Sequence, residues 1–317
     1  MENMTYTHLL NETIAIYDKS GSLEAYQFMK ENANEVEGNQ AQIYNFKYAL
    51  AAASGLEQEA LDTMKEAIID HGYWYAYDYL QSDDDLNSLR KFDEFQELVA
   101  LCKSREQEAL EETSAELIIE GSSNRKRPLL MALHGDQENA EMTLRAWNSA
   151  ITEGYTLALP QSSQIQFTDA YEWEDVEKGV EEVSMHVQNF SSRTDLMIND
   201  MVIGGFSAGC RVALKALMNK RFSVKGFLFV APWLPDIEEW SSALDNLKGE
   251  NVRGYILCGD QDEDCLEGSR KLSELLQKKG IQHELKVIKN LDHEYPKDFN
   301  EELAKALMYI NNNKNFL

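Results

Sequence analysis

Residues 201–217 read MVIGGFSAGCRVALKAL and combine three structural signals in one short stretch. The first four residues form an apolar strand, and the last seven place apolar side chains at helical spacing. Between them, Ser207 lies in the pattern G-x-S-x-G, in which the small residues two positions before and after the serine permit a very tight turn. A serine in such a strand-to-helix turn is raised above the edge of a sheet. Ser207 is therefore a candidate nucleophile, and the rest of the chain must supply its partners.

The chain around this turn alternates short apolar runs with amphipathic helices from about residue 113 onward. The predicted strands are Ala115–Glu120, Pro128–Leu133, Thr156–Leu159, Asp200–Gly204, Gly226–Val230, Val252–Cys258 and His283–Ile288. The predicted helices cover about 138–152, 172–190, 208–219, 265–279 and 298–312. This alternation predicts an α/β fold, a mostly parallel sheet with helices on both faces. Ligands then bind at the carboxyl ends of the strands.

Residues 1–112 show a different period. They contain no proline, and apolar residues recur at helical spacing in segments of about 5–18, 22–35, 40–54, 56–71 and 92–110. We therefore predict two domains, an all-helical domain over 1–112 and an α/β domain over 113–317. The helix pairs resemble degenerate tetratricopeptide repeats, because the Trp, Leu-Gly and closing Pro of the full pattern are missing. The resemblance implies binding of a protein partner or self-association through residues 1–112, and a helical array without a partner is the alternative.

Charge and hydropathy exclude several classes of partner. The net charge is −25, and residues 1–112 hold 23 acidic and 8 basic residues. Such a surface repels phosphate backbones, so no nucleic acid partner is expected. No apolar run is long enough for a membrane span, and the N-terminus lacks the features of a secretory signal. The four cysteines are scattered, without the density of a disulfide framework. We expect a cytoplasmic protein.

A nucleophilic serine needs an acid and a base, and both follow Ser207 in the sequence. Asp262 lies in a loop directly after the apolar strand that ends at Cys258. A carboxylate there can orient an imidazole and stabilise its charged form. Asp260 and Asp264 are of the same type and stay open as alternatives. The base candidate is His293, which lies after the last strand and before the last helix and is better placed than the other five histidines.

Two further features are predicted near the serine. His134-Gly135 ends an apolar strand, so the backbone N–H of Asp136 or Gln137 can join that of Ala208 in an oxyanion hole. An ordinary strand-to-helix turn is compatible with the same residues. Trp233 and Leu234 follow the strand that ends at Val230 and are possible substrate-lining residues, although aromatic and aliphatic residues beside proline more often serve packing.

No metal site is expected. Asp260, Asp262 and Asp264 have the spacing of a calcium loop, but its sixth and twelfth positions would be Cys265 and Lys271, which do not fit such a loop.

Residues 113–317 resemble the α/β-hydrolase superfamily. The resemblance rests on His134-Gly135, the G-x-S-x-G around Ser207, the loop Gly259–Asp262 and the segment His293–Pro296. Together they are most similar to the dienelactone-hydrolase, carboxylesterase and phospholipase-like branch.

This resemblance implies hydrolysis of small or medium acyl esters through Ser207, Asp262 and His293, without metal or organic cofactor. The expected substrate is a small-molecule ester. Asp136 departs from the pattern, because an acid beside a developing oxyanion is unfavourable unless its side chain turns away. Thioesterase, peptidase and acyltransferase activities share the same acyl-enzyme. A non-catalytic scaffold that binds a partner through its helical domain is the competing class.

Overall fold

The computed structural model describes residues 4–121, 126–191 and 196–311. The chain divides into two compact units, Met1–Thr113 with Ile165–Tyr171, and Ser114–Gln164 with Glu172–Leu317. The predicted boundary at 112/113 does not anticipate that Ile165–Tyr171 groups with the first unit. Residues 1–3 and 312–317 of the predicted domains, and with them the end of the predicted helix 298–312, lie outside the described residues.

The first unit consists of helices, as the sequence predicts. They are α1 (Tyr6–Ser20), α2 (Ser22–Asn32), α3 (Gln40–Ala53), α4 (Glu57–Lys65), α5 (Tyr77–Ser82) and α6 (Asp93–Glu112). The short helix α5 was not predicted. The apolar face of α4 and of the turn after it is buried and consists of Ala60, Leu61, Met64, Ala67 and Ile68. Small alanines on this face allow close contact between helices.

Most of a small two-stranded sheet, Ile165–Tyr171, belongs to the first unit. Its strands are β4 (Gln164–Phe167) and β5 (Ala170–Glu172). Neither strand was predicted, and the nearest predicted strand before them ends at Leu159. Thr168 at its tip exchanges two hydrogen bonds with the backbone of Trp74, at 2.8 and 3.2 Å. Asn39 donates a third to the Thr168 carbonyl, at 3.0 Å. These bonds explain why the tip belongs to the helical unit.

The second unit is built on a seven-stranded sheet. In chain order it comprises β1 (Glu116–Glu120), β2 (Arg127–Leu133), α7 (Ala140–Trp147), α8 (Ser149–Thr152), β3 (Thr156–Gln161), α9 (Val176–Ser191), β6 (Leu196–Phe206), α10 (Ala208–Met218), β7 (Gly226–Val230), β8 (Arg253–Gly259), α11 (Leu266–Lys278), β9 (Gln282–Ile288) and α12 (Phe299–Ile310). The strand order is β1-β3-β2-β6-β7-β8-β9. Among the described residues of this sheet, only β1 runs antiparallel to its neighbour, so the predicted fold class is confirmed.

The sheet separates two apolar cores. Ile203 and Phe229 face one core, whereas Val202 and Leu228 face the other. Both faces are covered, which is why these strands read as continuous apolar runs in the sequence. The carboxyl ends of β2, β6 and β7 meet at one edge, where Leu133 pairs with Gly205. In the described part of the chain, no helix is both long enough and apolar enough to cross a membrane.

Candidate active site

Ser207 occupies the sharp turn between the central strand β6 and helix α10. Its backbone has φ +50° and ψ −120°, a conformation that residues with a side chain seldom adopt. Such a backbone costs about 1–3 kcal/mol and persists only where its surroundings fix it. Here the Ser207 N–H donates to the Val230 carbonyl at 3.0 Å, and the Ser207 carbonyl accepts the N–H of Trp233 at 3.2 Å. The turn is thus held by the chain segment at the end of β7.

Two glycines let this turn pack against the end of β2. A Cβ atom at Gly209 would lie 2.4 Å from the carbonyl oxygen of His134 and 2.7 Å from that of Leu133. A Cβ at Gly205 would lie 3.1 Å from the same Leu133 oxygen. Because these neighbours are backbone atoms, they cannot rotate away. The small residues of the G-x-S-x-G pattern are therefore required by contact with the preceding strand.

The structure brings Ser207, Asp262 and His293 together. His293 Nε2 lies 3.0 Å from Ser207 Oγ, and its Nδ1 lies 2.9 Å from Asp262 Oδ2. Asp262 is almost fully buried, at 1% exposure. A carboxylate can only accept, so Nδ1–H donates to Asp262, and Nε2 offers its lone pair to the hydroxyl of Ser207. In this arrangement the imidazole can take the proton of the serine.

Backbone hydrogen bonds tie the loop after β8 to the loop after β9. The N–H of Asp260 donates to Ile288 O at 2.9 Å, and that of Gln261 donates to Leu291 O at 3.0 Å. The side chain of Asp260 accepts the N–H of Asn290 at 2.7 Å. Asp260 thus binds the loop and not the imidazole, which separates it from the neighbouring Asp262. These bonds bring the acid and the histidine to the same place.

The electrostatic surroundings favour the charged form of His293. Burial by itself lowers the pKa of the imidazole, but the hydrogen bond and charge of Asp262, together with nearby negative charges, outweigh this effect. Glu138 and Asp292 add negative potential, and the pKa of His293 is raised above its usual value. The imidazolium that forms during proton transfer is therefore stabilised at this site.

The turn after β2 carries the predicted oxyanion-hole donors. Gln137 has φ +57°, and Ala208 is the first residue of α10, where backbone N–H groups favour negative charge. The pKa of the Asp136 carboxyl is raised by burial, an effect that a hydrogen bond with the backbone of Gln137 reduces. Because the Gln137 backbone engages this carboxyl, the Asp136 N–H is the better candidate to join that of Ala208.

The side chain of His134 stabilises the turn after β2. Its Nε2 accepts the N–H of Ser162 at 3.2 Å, which leaves Nδ1–H to donate to the Gly135 carbonyl at 2.7 Å. Complete burial lowers the pKa of His134 to about 4, so the ring is neutral. Trp173 stacks on the ring and donates its indole N–H to the His134 carbonyl at 2.9 Å. His134 therefore acts as a structural residue.

Glu138 is a buried acidic neighbour of the site that sequence reasoning missed. Its buried carboxylate accepts the N–H of Gly135 at 2.9 Å, and burial raises its pKa to about 7. The sequence places it in the first turn of a helix from residue 138, but α7 starts at Ala140, because Asn139 caps it through the N–H of Met142. Its position three residues after Gly135 was the one available signal, and burial cannot be inferred from that spacing.

The two predicted substrate-lining residues have different surroundings. Leu234 is 3% exposed and belongs to one of the two apolar cores, so its burial supports the packing interpretation. Trp233 is 40% exposed, and its ring lies 5.1 Å from the guanidinium of Arg211. Its backbone bond to the Ser207 carbonyl keeps it next to the nucleophile candidate. Only Trp233 retains the prediction of a substrate contact.

The mostly parallel sheet, with a serine turn at the end of its central strand, defines the α/β-hydrolase class. Residues 5–110 match the family model described as A/B hydrolase-like, N-terminal domain. Residues 164–312 match the model described as Phospholipase/Carboxylesterase. No curated protein matches the sequence.

Solved structures agree with this class. The chain is 50% identical to an uncharacterized protein from Bacillus cereus ATCC 10987, with coverage of 97% of this chain and 100% of that one and a TM-score of 0.57. Esterase PE8 is 17% identical over 62% of this chain and 99% of its own, with a TM-score of 0.52. A Bacillus cereus carboxylesterase is 14% identical over 64% and 98%, with a TM-score of 0.50. At such identities the two esterases show the fold alone.

The chain combines an A/B hydrolase-like N-terminal domain with a domain of the phospholipase/carboxylesterase family of α/β hydrolases.

Proposed function

We propose that this hydrolase cleaves carboxylic esters of small or medium acyl groups through a serine-bound acyl-enzyme. The observation that carries the proposal is the position of His293, within hydrogen-bond distance of both Ser207 Oγ and Asp262 Oδ2. Base, nucleophile and orienting acid thus have the connectivity that acyl transfer requires.

The reaction begins when Ser207 Oγ attacks the ester carbonyl carbon and His293 Nε2 takes the hydroxyl proton. Asp262 holds the imidazole through Nδ1–H and stabilises its charge. The backbone N–H groups of Ala208 and Asp136 bind the oxyanion of the tetrahedral intermediate. His293 then returns the proton to the departing alcohol. Water, activated by the same imidazole, hydrolyses the acyl-enzyme and restores Ser207.

A labelling experiment tests the proposal. A fluorophosphonate probe is expected to modify Ser207, because the probe reacts with a serine that an adjacent base activates. Peptide mapping identifies the labelled residue, and a panel of p-nitrophenyl esters and matching thioesters of increasing acyl length then measures substrate preference. Labelling of another residue contradicts the assignment of Ser207. A preference for thioesters means that the proposed activity is thioester cleavage and not ester cleavage.

The pH profile is expected to depend on Glu138. His293 must be neutral to accept a proton, and its pKa is raised, so the acid limb of kcat/KM lies above the ordinary histidine value of 6.5. Glu138→Gln keeps an acceptor for the Gly135 N–H but removes a carboxyl group whose pKa is about 7 and whose ionised form raises the pKa of His293. We therefore expect the limb to move to lower pH in a profile measured from about pH 5 to about pH 9.

Glu141→Gln is the matched control, because Glu141 is exposed on the adjoining helix α7. It should leave the midpoint of the acid limb in place. An unchanged midpoint in Glu138→Gln, or a shift to higher pH, would contradict the electrostatic role of Glu138.

A further inference from the structure

Cys265 lies beside the triad, and ester cleavage makes no use of its thiol. The side chain is fully buried, and its Sγ is 3.5 Å from Nδ1 of His293. Its backbone N–H, by contrast, donates to Asp262 Oδ1 at 3.1 Å. A thiol, an imidazole nitrogen and a carboxylate are therefore in mutual proximity.

These three groups have the spacing of a metal-binding site. The ligand atoms of Asp262, Cys265 and His293 all lie within 4.8 Å of one another. In a tetrahedral zinc site, with Zn–N of about 2.0–2.1 Å and Zn–S of about 2.3 Å, neighbouring ligand atoms are about 3.3–3.6 Å apart. The nitrogen and sulfur already have this separation, at 3.5 Å, and Asp262 Oδ2 lies 2.9 Å from the same Nδ1.

The kinds of ligand select the kind of ion. Thiolate, imidazole and carboxylate are the zinc ligands of proteins, whereas magnesium and calcium take oxygen ligands. One carboxylate and one thiolate also balance the two positive charges of the ion, so the buried complex carries no net charge. We propose that Asp262, Cys265 and His293 form an inhibitory site for a thiophilic divalent cation, of which Zn²⁺ is the representative.

Binding follows a balanced exchange of protons. The Cys265 thiol releases its proton to solvent when sulfur coordinates the ion; burial raises the pKa of this thiol, and metal coordination overcomes the effect. The ion takes the Nδ1 lone pair of His293, so the neutral ring carries its proton on Nε2. Nε2 faces Ser207 Oγ and then has no lone pair for the hydroxyl proton. A single ion therefore removes both the base and the orienting acid from the reaction.

The side of His293 is the solvent-exposed side of these three ligands. The His293 side chain is 31% exposed, whereas Asp262 and Cys265 are at most 1% exposed. The expected inhibition rests on the proposed function, because it results from loss of the general base. The binding of the metal is independent of that function.

The experiment uses the untagged full-length protein, so that no added histidines bind metal. Zn²⁺ should inhibit cleavage of p-nitrophenyl butyrate, Mg²⁺ and Ca²⁺ should not, and a chelator should restore the rate. Cys265→Ala should raise the Zn²⁺ concentration for half-inhibition by at least about tenfold, since loss of even an outer partner costs about 10–100-fold in metal affinity. Each variant is compared with its own metal-free rate.

Cys258→Ala is the matched control. Cys258 is also a buried thiol near the acid, with Sγ 3.9 Å from Asp262 Oδ2, but it is not one of the three grouped ligands. This variant should stay as sensitive to Zn²⁺ as the parent protein. If Cys265→Ala does not fold by circular dichroism, Cys265→Ser serves in its place, because a hydroxyl is a poor zinc ligand.

A second readout does not require turnover. Co²⁺ in place of Zn²⁺ should give a thiolate-to-cobalt absorption band in the near ultraviolet, present in the parent protein and in Cys258→Ala and absent in Cys265→Ala. Absence of the band in the parent protein, or equal Zn²⁺ sensitivity of the parent and Cys265→Ala, overturns the proposal. A cobalt band in a protein that cleaves no ester would contradict the proposed function and leave the metal site standing.

Discussion

Ser207→Ala is expected to lower kcat for p-nitrophenyl butyrate by about 10⁴-fold or more. The substitution removes the oxygen that forms the acyl-enzyme, so only substrate binding and the backbone N–H donors still favour the reaction. Burst and steady-state kinetics measure the loss, and circular dichroism checks that the fold is kept. The strained turn accepts alanine as it accepts serine, because both residues carry the same Cβ.

Ser184→Ala provides the control for this loss. Ser184 is also buried, but its hydroxyl donates to the Val180 carbonyl within α9. Its rate should stay close to that of the parent protein. If Ser207→Ala turns over esters at the parent rate, Ser207 is not the nucleophile.

Asp262→Asn is expected to lower kcat by about 10⁴-fold while leaving the fold intact. The amide oxygen can still accept the N–H of Cys265, so the loop keeps its main contact. The amide NH2 that replaces Oδ2 donates to Nδ1, so the neutral imidazole carries its proton on Nε2 and has no lone pair for the Ser207 hydroxyl. The measurement is kcat with the same ester at a pH where His293 is neutral.

Asp260→Asn separates the acids of this loop. Its side-chain oxygen can still accept the N–H of Asn290, and it has no bond to the imidazole, so activity should stay close to that of the parent. Asp264→Asn is tested alongside it, because Asp264 was the other alternative. If Asp262→Asn stays active and either Asp260→Asn or Asp264→Asn loses most of its activity, the acid of the triad is the residue whose substitution causes the loss.

The main elements of the second unit are predictable because they are buried on both sides. A strand such as β7 is a continuous apolar run, and its predicted and observed bounds, Gly226–Val230, are identical. The order of serine, acid and histidine along the chain is visible for the same reason, since each follows a strand that can be recognised. The periodicity of apolar residues in the sequence therefore predicts most of the fold.

Other features depend on contacts between distant residues. The choice among the carboxylates after β8 is made by backbone bonds such as that from Gln261 to Leu291, which no spacing reveals. The burial of Glu138 results from the packing around the turn that follows β2. The sheet of β4 and β5 is short and has too few apolar residues for a recognisable period, and the helical unit holds its tip through Thr168.

The close contact of Gly209 with the carbonyl oxygens of Leu133 and His134 has a consequence for substrate choice. It couples the nucleophile candidate mechanically to the strand whose continuation carries the Asp136 amide. The gap between Ser207 and this proposed oxyanion donor cannot widen unless a central strand of the sheet shifts. We therefore expect differences in the acyl group to be accommodated beyond the carbonyl group, and mutagenesis aimed at new acyl groups should begin at Trp233, the predicted substrate contact.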